Sequence, residues 1–371
     1  MKKIVIDARM IFHSGIGTYI QNVLRVIDTS NFSVTALVPN HFVGHSEFSN
    51  IFFKSVTLPV YSPQESFVLH SYVDSCDIFI SPHFNVPFFK IPAKKRIVII
   101  HDVFHLRFPQ LYSLSKRLYA KFLISKACAL SDIILTVSHF SKHELSGLIP
   151  VDINKITVVY NGVDSALFTG EMSNEAIAKA RANYNLPQKY LLFVGSVKPH
   201  KNLVRLLQAF ALLLNEFPNL SLVIAGKKDG FITPESGIQN TITTLGIPEH
   251  KIIFTGYIPN KDIGLLYRLS ALTVFPTLYE GFGLPVLEAM LSGSPCVISN
   301  IPVLREVYGD AAFYCDPYDY ENIAASIKSA LSHESLPKPM QLCINTAIEK
   351  YSIARFGLEF NKIITEAAET I

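Results

Sequence analysis

The feature that most constrains this chain is a rhythm of short, nearly all-apolar runs alternating with stretches of helical spacing, begun at the first residues and begun again in the second half. In the first half the runs are Lys3 to Ala8, Val34 to Val38, Asp77 to Ser81, Arg96 to His101, Asp132 to Val137 and Lys155 to Tyr160, with a helix predicted over Gly17 to Ile27. Strands that lack a polar face are covered on both sides, as in parallel sheets whose crossover connections are helices. After Asn161-Gly162-Val163-Asp164 the rhythm lapses, and the polar, alanine-rich stretch from Met172 to Asn183 reads as the connection between two domains. A second series follows at Tyr190 to Gly195, Ser221 to Gly226, Lys251 to Gly256, Ala271 to Phe275 and Cys296 to Ser299. Within it Leu203, Leu206, Leu207, Phe210, Leu213 and Leu214 recur at helical spacing before Pro218, a stripe that reads as core. The tail from Ile353 to Ala368 is again amphipathic.

The expected fold class is therefore α/β: two Rossmann-like, doubly wound parallel-sheet domains facing across a cleft. Their expected extents are residues 1–168 and 186–350, with the C-terminal helix 353–371 returning to the first. A chain of 371 residues suits two cores better than one. Ligands of such sheets bind outside the carboxyl ends of the strands, so the loops there carry the chemistry.

Composition serves mainly to exclude. With 49% apolar and 17% charged residues the chain is far from disordered compositions. A formal net charge of +3 argues against a dedicated nucleic-acid binder. The mean hydropathy of +0.29 is high, yet no apolar run approaches the roughly 18 residues that spanning a membrane requires. The opening MKKIVIDARM has no signal-peptide pattern, so the expected location is the cytoplasm. Five cysteines, dispersed and without CxxC spacing, read as buried thiols and not as a disulfide framework or zinc site.

Three loops stand out. Ser14-Gly15-Ile16-Gly17-Thr18-Tyr19-Ile20 follows the first strand and opens a helix, an arrangement in which Gly15 and Gly17 would let a phosphate approach backbone amides. A dinucleotide fingerprint is incomplete here: Ile20 stands where the third glycine belongs, and the second strand ends in Pro39-Asn40 with no carboxylate for a ribose. A tight turn that merely needs glycine is the alternative. In Glu280-Gly281-Phe282-Gly283-Leu284-Pro285-Val286-Leu287-Glu288 the glycines precede a helix start, and the two carboxylates lie two helical turns apart. Anion binding by Gly281 to Gly283 and hydroxyl binding by Glu280 and Glu288 are expected. In Gly195-Ser196-Val197-Lys198-Pro199-His200-Lys201-Asn202, Lys201 stands at the start of the leucine helix, where a cation opposes the helix dipole unless an anion intervenes. A pyrophosphate would resolve that conflict.

Together these motifs, with Tyr160-Asn161-Gly162-Val163-Asp164 and the His101-Asp102 pair, resemble those of the retaining glycosyltransferases of family 4, which have the two-Rossmann GT-B architecture. The resemblance runs from residue 3 to about 330. It implies that Glu280 holds the hydroxyls of the donor sugar, Glu288 binds the ribose, and Lys201 binds the pyrophosphate. It further implies that Ser196, Gly281, Phe282, Gly283 and Leu284 line the donor, that Gly15 and Gly17 approach phosphate or acceptor, and that His101 bonds the transferred sugar. Two departures are visible. Ser196 stands where many members carry an arginine, and Ile353 follows Ser352 where a tryptophan is common.

Charge on the departing nucleoside diphosphate would be met by lysine and helix N-termini, so no metal and no cofactor is expected beyond the nucleotide sugar as substrate. The chain contains no Asp-x-Asp pair, and His139 and His143 read as exposed histidines rather than zinc ligands. The stretch His101 to Pro109, with Thr136-Val137-Ser138 and Phe140-Ser141, is similar to bacterial mannosyltransferases of O-antigen and lipopolysaccharide synthesis, which implies GDP-mannose as donor and a saccharide, lipid-linked or free, as acceptor. A UDP-linked donor, a nucleotide-sugar epimerase of the same architecture and a non-catalytic sugar-nucleotide binding module remain alternatives. Finally, Leu114 to Ile124 sets Lys116, Arg117 and Lys121 among Leu118, Tyr119, Phe122 and Leu123. A helix of this kind would either pack conventionally or rest on the inner face of the membrane.

Overall fold

The computed structural model describes residues 1–42, 48–62, 64–169, 173–226 and 235–371. Two compact units result: Met1–Gly162 together with Tyr351–Ile371, and Val163–Lys350. The first contains strands β1 (Lys2–Asp7), β2 (Phe32–Pro39), β3 (Ile51–Val56), β4 (Cys76–Ser81), β5 (Ala93–Ile99), β6 (Ile133–Thr136) and β7 (Ile156–Val158). All pairs are parallel, in the order β3-β2-β1-β4-β5-β6-β7. The second contains β8 (Tyr190–Val194), β9 (Ser221–Ala225), β10 (Ile252–Gly256), β11 (Leu272–Phe275), β12 (Cys296–Ser299) and β13 (Phe313–Cys315). It too is wholly parallel, in the order β10-β9-β8-β11-β12-β13. Each unit is thus a doubly wound α/β sheet, as the alternating pattern predicts.

The leucine stripe forms the helix Leu203–Leu213, whose Leu203, Leu206, Leu207, Phe210 and Leu213 are buried against β8, β9 and β11. Each such side chain contributes roughly 1.5 to 3 kcal/mol through removal from water. The tail forms the helix Ile353–Glu369, capped by the Ser352 hydroxyl, which accepts from the Arg355 amide. Its Phe356, Phe360, Ile364 and Ala367 are buried, and Asn361 ties it to the first helix, accepting from the Asp28 amide and donating to the Val26 carbonyl.

Some expectations need correction. The division falls after Gly162, and residues 174–184 of the supposed connection form a helix of the second unit, capped by Ser173 and ended by Asn185 in the left-handed region. Met172 lies outside the described residues. The first helix begins at Ser14, three residues before the predicted start, so Gly15 and Gly17 lie inside its first turn. Strands β3 and β13 were not foreseen. Four of the cysteines are buried, whereas Cys343 is half-exposed.

Candidate active site

In a doubly wound sheet the crevice opens where strand order reverses, outside the carboxyl ends of the two strands that flank the reversal. In the second unit those strands are β8 and β11. The loop leaving β8 is 195–202 and the loop leaving β11 is 276–283, so topology alone brings Lys201 and Glu280 together. The two loops are laced to each other. The Leu278 amide donates to the His200 carbonyl (2.7 Å), and the Asn202 side-chain amide donates to the carbonyls of Pro276 (2.9 Å) and Pro317 (2.6 Å). Asn202 adopts φ +63°, a left-handed conformation that asparagine tolerates better than most residues, and it turns the chain into the helix Leu203–Leu213.

Lys201 Nζ forms an ion pair with Glu280 Oε1 and lies 5.0 Å from the centroid of the Phe275 ring. The Thr277 hydroxyl reaches the same carboxylate oxygen at 3.0 Å. The dipole conflict inferred for Lys201 is therefore relieved inside the protein, by the Glu280 carboxylate. This pairing was not read from the sequence, because it arises only when β8 and β11 become neighbours. Ser196 stands half-buried on the same loop.

Gly281 to Gly283 lead into the helix Leu284–Leu291. Gly283 has φ +96°, and a β-carbon there would come within 2.8 Å of the Leu304 side chain, so both backbone and space demand glycine. Its carbonyl accepts from the Tyr308 hydroxyl at 2.8 Å. Phe282 is buried, and Leu284, the first helical residue, is half-buried. Glu288 lies on the inner turn of this helix and accepts a hydrogen bond from the Tyr267 hydroxyl (2.9 Å). Burial pushes its carboxyl above the ordinary carboxylate range, and the Tyr267 bond opposes the shift. Tyr267, which holds Glu288 in place, was not foreseen.

In the first unit the reversal lies between β1 and β4. His101 follows β5; its Nε2–H donates to the Pro82 carbonyl (2.8 Å), and its ring meets Tyr19 edge-on with centroids 4.8 Å apart. Burial holds the imidazole below its ordinary pKa, so the ring is neutral near pH 7. Gly15 is exposed with open space around it. Gly17 is different: its amide is bonded to the His13 carbonyl, and a β-carbon would come within 2.6 Å of the Ile11 carbonyl oxygen. Close packing of the first turn accounts for Gly17, and the reading of its amide as open to a phosphate is corrected accordingly.

Beside these residues lies a buried ionic cluster. The Arg9 guanidinium bridges Asp7 and Glu65 at 2.7 Å each, and Glu65 also accepts from the Tyr61 amide and the Asn85 side chain. His83 Nδ1 accepts from the Asn85 amide at 3.1 Å. Asp7, Glu65 and His83 bring potential ligand atoms within 4.8 Å of one another, but Arg9 already supplies the cation between the two carboxylates. The sequence does not reveal this group, because Glu65, His83 and Asn85 join Asp7 and Arg9 only through tertiary contacts. Next to the cluster, Arg9, Phe12, His13, Asn40, His41 and Thr57 border a hollow of about 380 Å³ at the carboxyl ends of β1 to β3. His139 and His143 are exposed, as expected.

Residues 13–167 match the family model described as Glycosyltransferase Family 4, and residues 174–349 match that of Glycosyl transferases group 1. The chain is 30% identical over 274 residues to the O-antigen chain mannosyltransferase B of Escherichia coli, covering 73% of this chain and 69% of that protein. It is 28% identical to the serotype-specific mannosyltransferase WbdA of Escherichia coli, covering 78% of this chain but only 35% of that longer protein. Among solved structures, sucrose-phosphate synthase from Thermosynechococcus elongatus superposes with a TM-score of 0.80 over the whole of both chains at 15% identity. WaaG, a glycosyltransferase involved in lipopolysaccharide biosynthesis, superposes with a TM-score of 0.72 over 98% of this chain and 99% of its own at 13% identity. Two parallel-sheet units, matching family models over both of them and a 30% identical relative lead to one assignment: the chain belongs to glycosyltransferase family 4, with the GT-B fold.

Proposed function

We propose that this glycosyltransferase is a retaining mannosyltransferase that takes mannose from GDP-mannose and adds it to a lipid-linked saccharide of a bacterial surface polysaccharide. The observation that carries the reading is the Lys201–Glu280 pair at the sheet reversal of the second unit, where one loop offers a cation and the other a carboxylate. The names of the curated mannosyltransferase relatives support the choice of mannose.

In the proposed mechanism an arriving diphosphate draws Lys201 away from Glu280, because two phosphate groups offer more charge than one carboxylate. The freed carboxylate then accepts hydrogen bonds from the sugar hydroxyls. Departure of the nucleoside diphosphate concentrates negative charge, and Lys201 with the amides of Gly281 to Leu284 at the helix start stabilises it. Glu288, held by Tyr267, accepts from the ribose hydroxyls. Neutral His101 is assigned to the transferred sugar, and Ser196 to the donor phosphates. Gly15 is assigned to the edge of the phosphate or acceptor site, and the hollow beside Arg9 to the acceptor saccharide. No step calls for a metal ion.

The test is a transfer assay with several nucleotide sugars. GDP release that requires acceptor, persists in excess EDTA and gives a product with the donor's anomeric configuration is the expected result. Preference for a UDP-linked donor would replace mannose in the reading. Inversion, a requirement for magnesium or manganese, or an altered sugar without nucleotide release would overturn the mechanism.

A further inference from the structure

The helix Leu114–Leu130 carries large apolar side chains on its exposed side as well as on its buried one. Leu123, Ile124, Ala127 and Cys128 are buried in the first unit, as packing requires. On the opposite side Leu114, Leu118 and Phe122 succeed one another at four-residue intervals, one above the next along the exposed face, with Tyr119 beside them. A surface helix of an ordinary globular unit shows polar residues there.

The exposed stripe does not stop at the helix. The Phe122 ring meets Phe88 (centroids 5.7 Å), Phe88 meets Phe67 (5.5 Å), and Phe67 meets Phe89 (6.0 Å). Leu114, Leu118, Tyr119, Phe122, Phe67 and Phe89 are each between 47% and 64% exposed. Three segments far apart in sequence thus converge on one apolar surface. Scattered apolar residues on a surface need no explanation, but a contiguous aromatic and aliphatic patch does.

The charge around the patch says what would cover it. Residues 82–131 contain nine Lys and Arg against one Asp; Lys94, Lys95 and Arg107 pair with Asp77, Asp132 and Glu144 from outside this stretch, which leaves the positive charge to the others, the lysines beside the patch among them. The helix itself has no acidic residue. Lys121 flanks the apolar stripe on one side, Lys126 holds its ammonium 5.9 Å from the Phe122 ring on the other, and Lys90 follows Phe89; all three are exposed. Rings and leucines that enter the acyl boundary, with lysines at headgroup level, match the chemistry of an anionic bilayer surface.

We infer that this face of the first unit docks on an anionic lipid leaflet, with Leu118 and Phe122 as the inserting residues and Lys90, Lys121 and Lys126 as the charge contacts. The inference deepens the proposed use of a lipid-linked acceptor, but it is tested without turnover, so a failed transfer assay and a failed docking surface are told apart.

The full chain is floated with vesicles of phosphatidylcholine alone and of phosphatidylcholine with phosphatidylglycerol. Binding to the anionic vesicles alone, weakened by added salt, is expected. Lys121→Gln plus Lys126→Gln should weaken it by about 25-fold, since each basic residue near the surface is worth about fivefold. Leu118→Ser plus Phe122→Ser should abolish detectable binding while the circular dichroism spectrum and GDP-mannose turnover with a water-soluble acceptor stay unchanged, because both side chains are exposed. Absence of binding to anionic vesicles, binding indifferent to lipid charge and salt, or a concentration-dependent dimer in sedimentation that the serine pair dissolves would each overturn the assignment.

Discussion

The two units share a topology and use its reversal point in opposite ways. In the second, one pair of charges, partly rather than wholly buried, neutralises itself across two loops, Lys201 against Glu280. In the first, the charges are deeper and permanently matched: Asp7, Arg9 and Glu65 are almost wholly removed from solvent, and His83 and His101 are held neutral by burial. The contrast teaches that the same fold position can store charge for exchange with a ligand or lock it into the scaffold. A pair that is easily traded suits a diphosphate that arrives and leaves. A locked cluster holds in register the end of β1 and the segments carrying Glu65 and Asn85.

Breaking each arrangement should separate stability from activity. Arg9→Met would leave two buried carboxylates without a countercharge, and a loss of about 3 to 5 kcal/mol is expected in urea unfolding. A loss below about 1 kcal/mol would show that the cluster is not locked. Lys201→Ala should cost less stability than Arg9→Met, because the Glu280 carboxylate left behind keeps the Thr277 hydroxyl and a little solvent, yet it should cost about 2 to 4 kcal/mol in transition-state stabilisation, roughly 30- to 900-fold in kcat/KM. Equal loss of stability in both variants would erase the distinction.

The histidine buried in the cluster sharpens it further. Burial lowers His83 from an ordinary 6.5 to about 4. Between those values the unfolded chain binds a proton that the folded protein refuses. Stability is therefore full above about pH 6.5 and falls as the pH drops toward 4, by roughly 3 kcal/mol in all. His83→Asn retains an acceptor for the Asn85 amide and should flatten that part of the Tm against pH curve; an unchanged slope would assign the acid sensitivity elsewhere. The smallest expected effects concern glycine. Gly283→Ala, at φ +96° and against Leu304, should cost about 1 to 3 kcal/mol, whereas Gly15→Ala, with open space around it, should stay within about 0.5 kcal/mol.

Much of this architecture is legible in the sequence because buried parallel strands carry an apolar signal of their own. Eleven strands and the helices around Leu203–Leu213 and Ile353–Glu369 announce themselves in that way. The edge strand β3 does not, since Phe52 is exposed and Lys54 and Ser55 interrupt the run, and β13 has only three residues. The Glu280 to Glu288 segment is legible because its glycines and carboxylates are contiguous. The ionic cluster is not, because the segments carrying Asp7 and Arg9, Glu65, and His83 meet only when the chain folds. The full extent of the apolar patch is hidden for the same reason: the helix Leu114–Leu130 is readable as basic and apolar, but Phe67 and Phe89 join it through tertiary contacts alone.

Calorimetric titration of GDP and GDP-mannose into the native protein, Lys201→Ala and Glu280→Ala tests the central claim, that these two residues divide the donor between phosphate and sugar. Lys201→Ala is expected to weaken both ligands alike. Glu280→Ala is expected to weaken GDP-mannose while leaving GDP unchanged or tighter, because the carboxylate no longer competes for Lys201. Weakening of GDP by Glu280→Ala as large as that of GDP-mannose would contradict the division.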